Sequence, residues 1–379
     1  MLLYSILLPL LISLGIGMYV IPRILLVSAR KQLYDEPDER KVHERPVSRL
    51  GGFSFLPVLL ISFSTTVALR LGLGMADAED LENNTLLRML LLMAGMTVMF
   101  LVGAKDDLVG VAYRWKFVAQ IGAGLLLPVS GLWIHSLDGL FGIYELPAWT
   151  GWLLTVFIVV YITNAVNLID GIDGLASGLA MIAFTVLGLC FAWKCQYLMV
   201  SLAFGMMGVL IPFWVRNVFG NAKRGRKIFM GDAGSLTLGY LLSFLVVCLS
   251  MQGGTVYPSG MLMVCMGTLL IPLLDVAYVV YIRLKNGKNP FMPDKNHIHH
   301  RLMRTGLGVH GVLVTLLLAS LLFMAVNMAG VWYGIGQTLL LCIDVALWLL
   351  MQAAIYFNES GRSTLGSLQG KNEKKRNGR

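Results

Sequence analysis

Stretches of about twenty apolar residues recur along the whole chain, and they constrain its fold more than any other feature. Of the 379 residues, 57% are hydrophobic and 13% are charged, whereas a soluble domain has about a quarter charged residues. A helix of about twenty apolar residues crosses a bilayer and satisfies its own backbone polar groups. The sequence therefore predicts an all-α polytopic membrane protein. The predicted spans are eleven, at residues 3–27, 51–71, 86–104, 115–134, 149–168, 175–193, 197–215, 235–250, 260–282, 311–331 and 337–357.

The basic residues predict how these spans are oriented. If the loop at 28–50 is cytoplasmic, alternation of the spans leaves only Arg70, Arg88 and Lys194, of the 30 Lys and Arg residues, on the external face. Cytoplasmic loops of membrane proteins carry an excess of Lys and Arg. We therefore predict an external N-terminus and a cytoplasmic C-terminus. The net charge of +9 concerns membrane orientation, and no nucleic-acid partner is expected.

The two ends of the chain predict one membrane domain and a tail. Residues 3–27 lack a preceding positive segment and a small-residue cleavage site, so they are interpreted as a retained span rather than a signal peptide. Residues 1–358 are predicted to form the transmembrane domain. Residues 359–379 end in KNEKKRNGR, whose composition predicts a disordered, basic, cytoplasmic tail that contacts anionic inner-leaflet lipids.

The stretch NAVNLIDGIDGLASG, residues 164–178, places polar side chains between two apolar runs. Asn164, Asn167, Asp170 and Asp173 recur at every third position, which would spread them over half the circumference of a straight helix. The intervening glycines predict that the helix breaks there and folds the two aspartates back towards Asn167. Carboxylates near membrane depth are costly and usually functional. This stretch is therefore the strongest candidate for a site.

Other acids occur at the ends of predicted spans on the same face. Asp106 and Asp107 end the third span, and Asp232 lies in the turn GDAGS before the eighth. The structural alternatives are a solvated helix end for the acid pair and a helix N-cap for Asp232. Glycines in such a turn also let backbone N–H groups approach an anion, while the aspartate holds a cation.

Histidines and basic residues join the acids on this face. The stretch PDKNHIHHRLMRTG contains His297, His299 and His300, and a zinc site is one interpretation, although no cysteine accompanies them. The loop DERKVHERPVSRLGG is basic, which the topology alone would explain. Mg²⁺ is typically bound by one or two carboxylates together with substrate phosphate oxygens. Acids and bases on one face thus predict an enzyme that handles phosphate esters through a divalent cation. The alternative from another class is a transporter of an anionic solute, with Asp275 and Asp344 as intramembrane acids.

The chain resembles the polyprenyl-phosphate N-acetylhexosamine-1-phosphate transferases, and in particular the bacterial undecaprenyl-phosphate GlcNAc-1-phosphate transferases. Ser48 replaces a proline that is commoner in the family, and the H-x-H-H-R-L form is similar to the GlcNAc branch rather than the phospho-MurNAc-pentapeptide branch. The motifs that carry the resemblance are KVHERPVSRLGG (41–52), DDLVGVAYRWKFVAQ (106–120), NAVNLIDGIDGLASG (164–178), PFWVRN (212–217), FMGDAGS (229–235), IPLLDVAYVVYIRL (271–284) and NPFMPDKNHIHHRL (289–302).

The resemblance implies a reaction and its partners. A UDP-N-acetylhexosamine, most simply UDP-GlcNAc, and undecaprenyl phosphate give undecaprenyl-diphospho-N-acetylhexosamine and UMP, with Mg²⁺ or Mn²⁺ as cofactor. The product starts the synthesis of a lipid-linked cell-surface glycan at the bacterial cytoplasmic membrane. Bilayer lipids surround the protein, and a homodimer is left open. Other UDP-sugars, such as a phospho-MurNAc-pentapeptide or a deoxy-N-acetylhexosamine donor, are the alternatives within the enzyme class.

The resemblance also implies roles for individual residues. The implied catalytic residues are Asp106, Asp107, Asp170, His297, His299 and His300. The implied substrate-binding residues are Lys41, His43, Arg49, Lys116, Asn164, Asn167, Asp173, Asn217, Phe229 and Arg301. The implied metal-binding residues are Asp232, Asp107 and Asn167. Because a phosphate monoester has a second pKa of about 6, it needs little help from a general base at pH 7. In-line attack by the lipid phosphate is therefore favoured over a covalent aspartyl-phosphate route.

Overall fold

The computed structural model describes residues 1–33, 47–75, 83–251, 261–289 and 296–376. These ranges form thirteen α-helices. The helices are α1 (Leu2–Lys31), α2 (Phe55–Gly72), α3 (Asn83–Val109), α4 (Tyr113–Val129), α5 (Ala148–Ile169), α6 (Leu175–Trp193), α7 (Tyr197–Phe219), α8 (Gly231–Ser250), α9 (Met261–Gly267), α10 (Leu270–Lys285), α11 (Ile298–Arg304), α12 (Val309–Trp332) and α13 (Gln337–Arg376).

The helix lengths confirm the predicted class of all-α polytopic membrane protein. Within the described ranges, nine helices are long and apolar enough to cross a membrane, and α9 with α10 makes a tenth candidate that is bent by 74°. Every predicted span overlaps a helix or this bent pair. The count of eleven stays a prediction, because the fourth predicted span, 115–134, corresponds to α4, which has only 17 residues.

Helix α8 lies at the centre of the bundle. All of its residues except Ser250 are buried, and it packs mainly against α3 and α5. Helices in a bilayer associate by close packing, and small residues allow their backbones to approach. A methyl group at Gly103 of α3 would lie 2.5 Å from the Cα atom of Ala233, so α3 meets the first turn of α8 directly. This packing fixes the position of Asp232, which lies in that first turn.

The turn between α5 and α6 confirms the predicted break in the apolar run. Helix α5 ends at Ile169 and α6 begins at Leu175, with Gly174 in the left-handed region at φ 78°. Gly174 accommodates this φ because it lacks a Cβ atom. Asp170 and Asp173 therefore lie in a loop at the end of the bundle rather than on a continuous helix. We call this end of the bundle the site end.

The end opposite the site end carries exposed aromatic side chains. Trp149 lies in the first turn of α5, Trp193 ends α6, and Trp332 and Tyr333 lie at the end of α12; each is more than half exposed. Trp and Tyr are enriched at the interface between membrane and water. These residues therefore mark one membrane boundary. At the site end, α13 continues as far as Arg376. It therefore enters the segment 359–379, for which the composition predicts disorder. The domain boundary after residue 358 stays a prediction.

Candidate active site

A polar cavity of about 680 Å³ opens at the site end. Its volume lies within the roughly 300–1,000 Å³ that is typical of small-molecule sites. The sequence motifs contribute most of its lining, although they are far apart in the chain. The predicted site residues that line the cavity are Arg49, Asn167, Asp170, Asp173, Asn217, Phe229, Asp232 and His300.

Two extended segments place Arg49 and Phe229 beside each other at this cavity. Ser48 and Ile228 form an isolated parallel β-bridge, and the Phe229 N–H donates to the Ser48 carbonyl at 2.7 Å. The Gly51 N–H donates in turn to the Phe229 carbonyl at 2.9 Å. The backbone hydrogen bonds thus fix a cation and an aromatic ring on the same wall of the cavity.

Lys116 joins two carboxylates from different helices. Its Nζ atom lies 2.7 Å from Asp106 Oδ2 and 2.6 Å from Asp232 Oδ2. The other oxygen of Asp106 accepts the Val111 N–H at 2.7 Å. Lys116 does not line the cavity, whereas Asp232 does, so the ammonium group lies behind Asp232 and offsets part of the negative charge of the carboxylate pair.

Asp107, rather than Asp232, is the carboxylate that caps α8. Its two oxygens accept the N–H groups of Asp232 and Ala233 at 2.8 and 2.9 Å. A carboxylate at a helix N-terminus satisfies unpaired donors and interacts favourably with the helix dipole. Gly231 makes this approach possible, because at φ 71° a Cβ atom there would lie 2.5 Å from Asp107 Oδ2. The N-cap alternative considered for Asp232 therefore applies to Asp107.

The predicted turn residues make specific contacts. Asn167 Nδ2 donates to Ser235 Oγ at 2.8 Å, which links α5 to α8. Asp173 Oδ2 lies 2.5 Å from Lys227 Nζ. Asn217 accepts the Gly174 N–H at 2.5 Å and donates to the Ile228 carbonyl at 2.8 Å, so it holds the turn against the Phe229 segment.

Asp170 is the cavity carboxyl group whose ionisation is most perturbed. Burial raises the pKa of Asp170 to about 7, and the nearby negative charges of Asp173 and Asp232 add to the shift. Removal of water disfavours the charged form of a carboxyl group, and like charges act in the same direction. Asp170 therefore changes charge near neutral pH.

The three histidines of α11 and its N-cap have different surroundings. His297 Nδ1 lies 2.7 Å from Asp275 Oδ2, and its side chain is nearly buried. His299 is 1% exposed, and neither ring nitrogen has a hydrogen-bond partner in the structure. Burial and the neighbouring His300 and His297 hold the pKa of His299 well below its usual range. Of the three, only His300 lines the cavity.

Several other predicted residues lie away from the cavity lining. The Arg301 guanidinium is buried, donates to Gln352 and lies over the Tyr278 ring at 5.0 Å, so it supports α11 from the side of α13. Asn164 exchanges hydrogen bonds with Gln120 of α4 at 2.6 and 3.3 Å. Lys41 and His43 lie outside the described residues.

The cavity also contains residues that the sequence reasoning missed. Lys227 lies 6.0 Å from the centre of the Phe229 ring in addition to its contact with Asp173. Ser235 and His310 line the cavity as well. Lys227 and Ser235 belong to the stretch RGRKIFMGDAGS, in which only the glycines, Phe229 and Asp232 had been singled out. Their position next to Phe229 and Asp232 in the sequence was the feature that could have indicated them.

This arrangement suits an anionic ligand held partly through a cation. In the described part of the chain, no group of three or more His, Cys, Asp or Glu residues is close enough to form a complete protein metal site. Two carboxylates, Asp106 and Asp232, nevertheless share one cation, the Lys116 ammonium. Lys227 and Arg49 also line the cavity and supply positive charge there.

Comparison with known proteins identifies the family. Residues 89–250 match the profile described as "Glycosyl transferase family 4". An undecaprenyl-phosphate alpha-N-acetylglucosaminyl 1-phosphate transferase of Yersinia pestis is 30% identical over 306 residues, which cover 80% of this chain and 78% of the relative. The enzyme of that name from Escherichia coli (strain K12) is 30% identical over 319 residues, 82% of each chain.

Another bacterium provides a further relative. A probable undecaprenyl-phosphate N-acetylglucosaminyl 1-phosphate transferase of Bacillus subtilis (strain 168) is 29% identical over 338 residues, 88% of each chain. The similarity therefore extends over most of the chain. The chain belongs to glycosyl transferase family 4 and is a membrane phosphotransferase of the polyprenyl-phosphate N-acetylhexosamine-1-phosphate transferase family.

Proposed function

We propose that this enzyme transfers N-acetylglucosamine 1-phosphate from UDP-GlcNAc to undecaprenyl phosphate and releases UMP. The names of the relatives support the sugar and the lipid acceptor. The product, a lipid-linked sugar diphosphate, is a starting point for a cell-surface glycan. The observation that carries the proposal is the position of Asp232, which lines a polar cavity while sharing the Lys116 cation with Asp106.

The donor atoms around Asp232 fit a divalent cation such as Mg²⁺ or Mn²⁺. Asp106 and Asp232 are hard oxygen donors, and the bridging ammonium of Lys116 marks a position where a positive charge is already stabilised. Mg²⁺ in phosphate-handling sites is usually held by one or two carboxylates, with waters and substrate phosphates completing the shell. Asp232, which lines the cavity, would therefore hold the cation, with the side-chain oxygen of Asn167 as a second donor there. When bound, it would neutralise charge on the diphosphate during transfer.

The cavity walls suit the nucleotide part of the donor. Phe229 offers a ring for the uracil, and Lys227 lies against the same ring at 6.0 Å. Arg49 is on the adjacent segment and lines the cavity. An aromatic ring beside two cations matches the flat base and the negative charge of a nucleoside diphosphate. These three residues are proposed to orient the UDP-sugar.

The transfer step is proposed as a single in-line displacement. An oxygen of the lipid phosphate attacks the sugar-bearing phosphorus, and the bond between that phosphorus and the UMP oxygen breaks. No general base is required, because the lipid phosphate is largely dianionic at neutral pH. Asp106 is poorly suited to accept a proton, since one oxygen accepts the Val111 N–H and the other contacts Lys116. Asp106 is therefore assigned to positioning.

The transporter alternative receives no support from Asp344. This intramembrane acid accepts hydrogen bonds from Asn327 Nδ2 at 3.0 and 2.9 Å, in a contact between α12 and α13. Both residues are fully buried and lie outside the cavity lining. Asp344 thus has a packing role between two helices, as a buried polar pair commonly does in membranes.

The decisive test of the proposed reaction is an assay with a panel of donors. Purified protein is incubated with undecaprenyl phosphate, Mg²⁺ and UDP-GlcNAc, UDP-GalNAc or UDP-MurNAc-pentapeptide, and released UMP and the lipid product are measured by mass spectrometry. We expect UMP and a lipid-linked GlcNAc diphosphate with UDP-GlcNAc, and loss of both on addition of EDTA. Turnover with another donor alone would refute the sugar assignment.

The site end is proposed to face the cytoplasm, where nucleotide sugars are found. The chain offers a native reporter for this orientation, because exposed Cys195 lies in the turn between α6 and α7, at the end opposite the site end. A membrane-impermeant maleimide added to intact cells should label Cys195 from outside, and a Cys195→Ser variant is the control. Labelling of Cys195 only in inverted vesicles would place the site end outside.

A further inference from the structure

Asp275 is a buried acid that makes two contacts with the start of α11. It lies on α10 and is 1% exposed. Its Oδ2 atom lies 2.7 Å from His297 Nδ1, and its Oδ1 atom accepts the Ile298 N–H at 2.8 Å. One carboxylate therefore fixes both the N-cap residue of α11 and the first backbone donor of that helix.

The contact with Asp275 also decides which nitrogen of His297 carries a proton. A carboxylate accepts hydrogen bonds and cannot donate them. His297 must therefore carry a proton on Nδ1, and in the neutral imidazole the Nε2 atom is then the free acceptor. The carboxylate thus sets the tautomer of His297 as well as the direction of its ring.

Contacts between neighbouring imidazole rings connect His297 to the cavity along α11. The rings of His297 and His299 are stacked, with centroids 5.9 Å apart and an interplanar angle of 10°. The centroids of His299 and His300 are 4.3 Å apart. His300 lines the cavity, so three neighbouring imidazole rings connect the carboxylate of Asp275 to the site.

We propose that Asp275 is a positioning residue for the transfer reaction. It holds His297 as the Nδ1–H tautomer and sets α11 so that His300 faces the cavity. This inference rests on the proposed function, because the activity measured in its test is the proposed transfer reaction. The competing interpretation is that Asp275 only caps α11 and contributes stability alone.

Replacement of Asp275 by Asn separates these two interpretations. The amide oxygen of an Asp275→Asn variant still accepts the Ile298 N–H, so the cap is kept. The amide nitrogen donates, however, and would turn His297 into the tautomer that accepts at Nδ1. In a catalytic triad, the corresponding Asp-to-Asn change leaves the geometry intact but impairs catalysis through the wrong tautomer. A residue that supports a ligating or reacting histidine typically contributes about 10- to 100-fold.

The experiment is a double-mutant cycle of Asp275→Asn and His297→Ala in the full-length purified protein. We expect Asp275→Asn to lower kcat about 10- to 100-fold, with KM for UDP-GlcNAc within about threefold of the wild type. In the His297→Ala background the same change should have no further effect, because the interaction is already absent. Asp275→Glu should restore part of kcat. Asp344→Asn is the matched control for loss of a buried carboxylate, and it should leave kcat unchanged.

The outcomes distinguish this proposal from the proposed function. A kcat for Asp275→Asn within about twofold of the wild type, or an equal loss with and without His297, would overturn the positioning role. A wild-type protein that releases no UMP with any donor would refute the proposed function instead. In that case the same cycle is measured on the unfolding midpoint in detergent. Non-additive shifts then support the contact between Asp275 and His297, and additive shifts overturn the proposal.

Discussion

The Nζ atom of Lys116 lies 2.6 Å from Asp232 Oδ2, although 116 positions separate the two residues in the chain. The same nitrogen lies 2.7 Å from Asp106 Oδ2. α4 thus supplies a cation to carboxylates at the end of α3 and the start of α8. We expect a divalent cation at Asp232 to compete with this ammonium group, because both stabilise the same negative charge.

The first prediction is that Lys116→Met increases the affinity of the substrate-free enzyme for Mn²⁺. At an effective dielectric constant of about 20, two unit charges 4 Å apart interact by about 4 kcal/mol, so a rise of about tenfold in affinity is a modest expectation. Electron paramagnetic resonance of free Mn²⁺ measures it. Lys105→Met, which removes an exposed lysine next to Asp106 on α3, is the control. Weaker Mn²⁺ binding by Lys116→Met would show that Lys116 supports the cation rather than competing with it.

The second prediction is that Asp232→Asn lowers UMP release by on the order of 10²- to 10³-fold, the range expected when one group that stabilises transition-state charge is removed. The amide keeps the size of the side chain but lacks the charge proposed to hold the cation. The cap of α8 should be kept, because Asp107 and not Asp232 accepts its first N–H groups, so any fall in the unfolding midpoint should reflect only the lost charge contact with Lys116. Near-normal UMP release from the folded variant contradicts the assignment.

The third prediction concerns the pH dependence of Asp106→Asn. If Asp106 removed a proton from the lipid phosphate, the variant would recover as pH rises through the second pKa of that phosphate, near 6. Because both Asp106 oxygens already have partners, we expect the loss to persist at pH 8 to 9. The measurement is a rate profile from pH 5.5 to 9 at saturating Mg²⁺. Wild-type rates at pH 9 would identify Asp106 as a base.

The fourth prediction follows from the pKa of Asp170, which burial raises to about 7 from the 3.8 that is usual for an aspartate. The folded protein then holds a proton that the unfolded chain has lost between about pH 4 and 7. Stability therefore falls as pH rises through this window and stays lowered above pH 7. The unfolding midpoint of the wild type, measured in EDTA, should drop more between pH 5 and 8 than that of Asp170→Asn. Parallel curves for the two proteins would contradict a raised pKa.

The fifth prediction tests the contact between the α5–α6 turn and α11. A Cβ atom at Gly171 would lie 2.1 Å from His299 Nε2, so Gly171→Ala must displace the His299 ring or the turn. Overpacking of this kind typically costs about 1–3 kcal/mol. We expect a lower unfolding midpoint and reduced UMP release. Gly122→Ala in α4, where nothing lies within 4 Å, is the matched control and should be neutral or slightly stabilising.

The helical class could be predicted from the sequence because each apolar run is about as long as a bilayer is thick. The break within the predicted span 260–282 could not, since its residues are apolar on both sides of Thr268 and the 74° bend depends on packing. The short length of α4 could not be predicted for a related reason: the helix ends at Val129, but the apolar residues Leu132, Trp133 and Ile134 follow soon after it.

The composition of the site could be predicted, but its pairings could not. Polar residues in apolar surroundings identified Asp173 and Asp232, since such residues are costly unless they have a function. The partners of these acids, Lys227 and Lys116, come from remote positions and appear in the sequence as ordinary basic residues. The contacts of Arg301 with Gln352 and Tyr278 were likewise not visible in its motif, and its predicted substrate contact stays a prediction.

The central position of α8 has a consequence for how the protein is made. Its main neighbours, α3 and α5, precede it in the chain, so they are synthesised and inserted first. When α8 leaves the ribosome, the two helices that it packs against have therefore already been made. Because α8 is surrounded by other helices and not by lipid, it can carry polar side chains inside the membrane. These are the acid in its first turn and the hydroxyl groups of Ser235, Thr237 and Ser243. Of the helices α3, α5 and α8, the central one, α8, is thus synthesised last, when its two partner helices are already present.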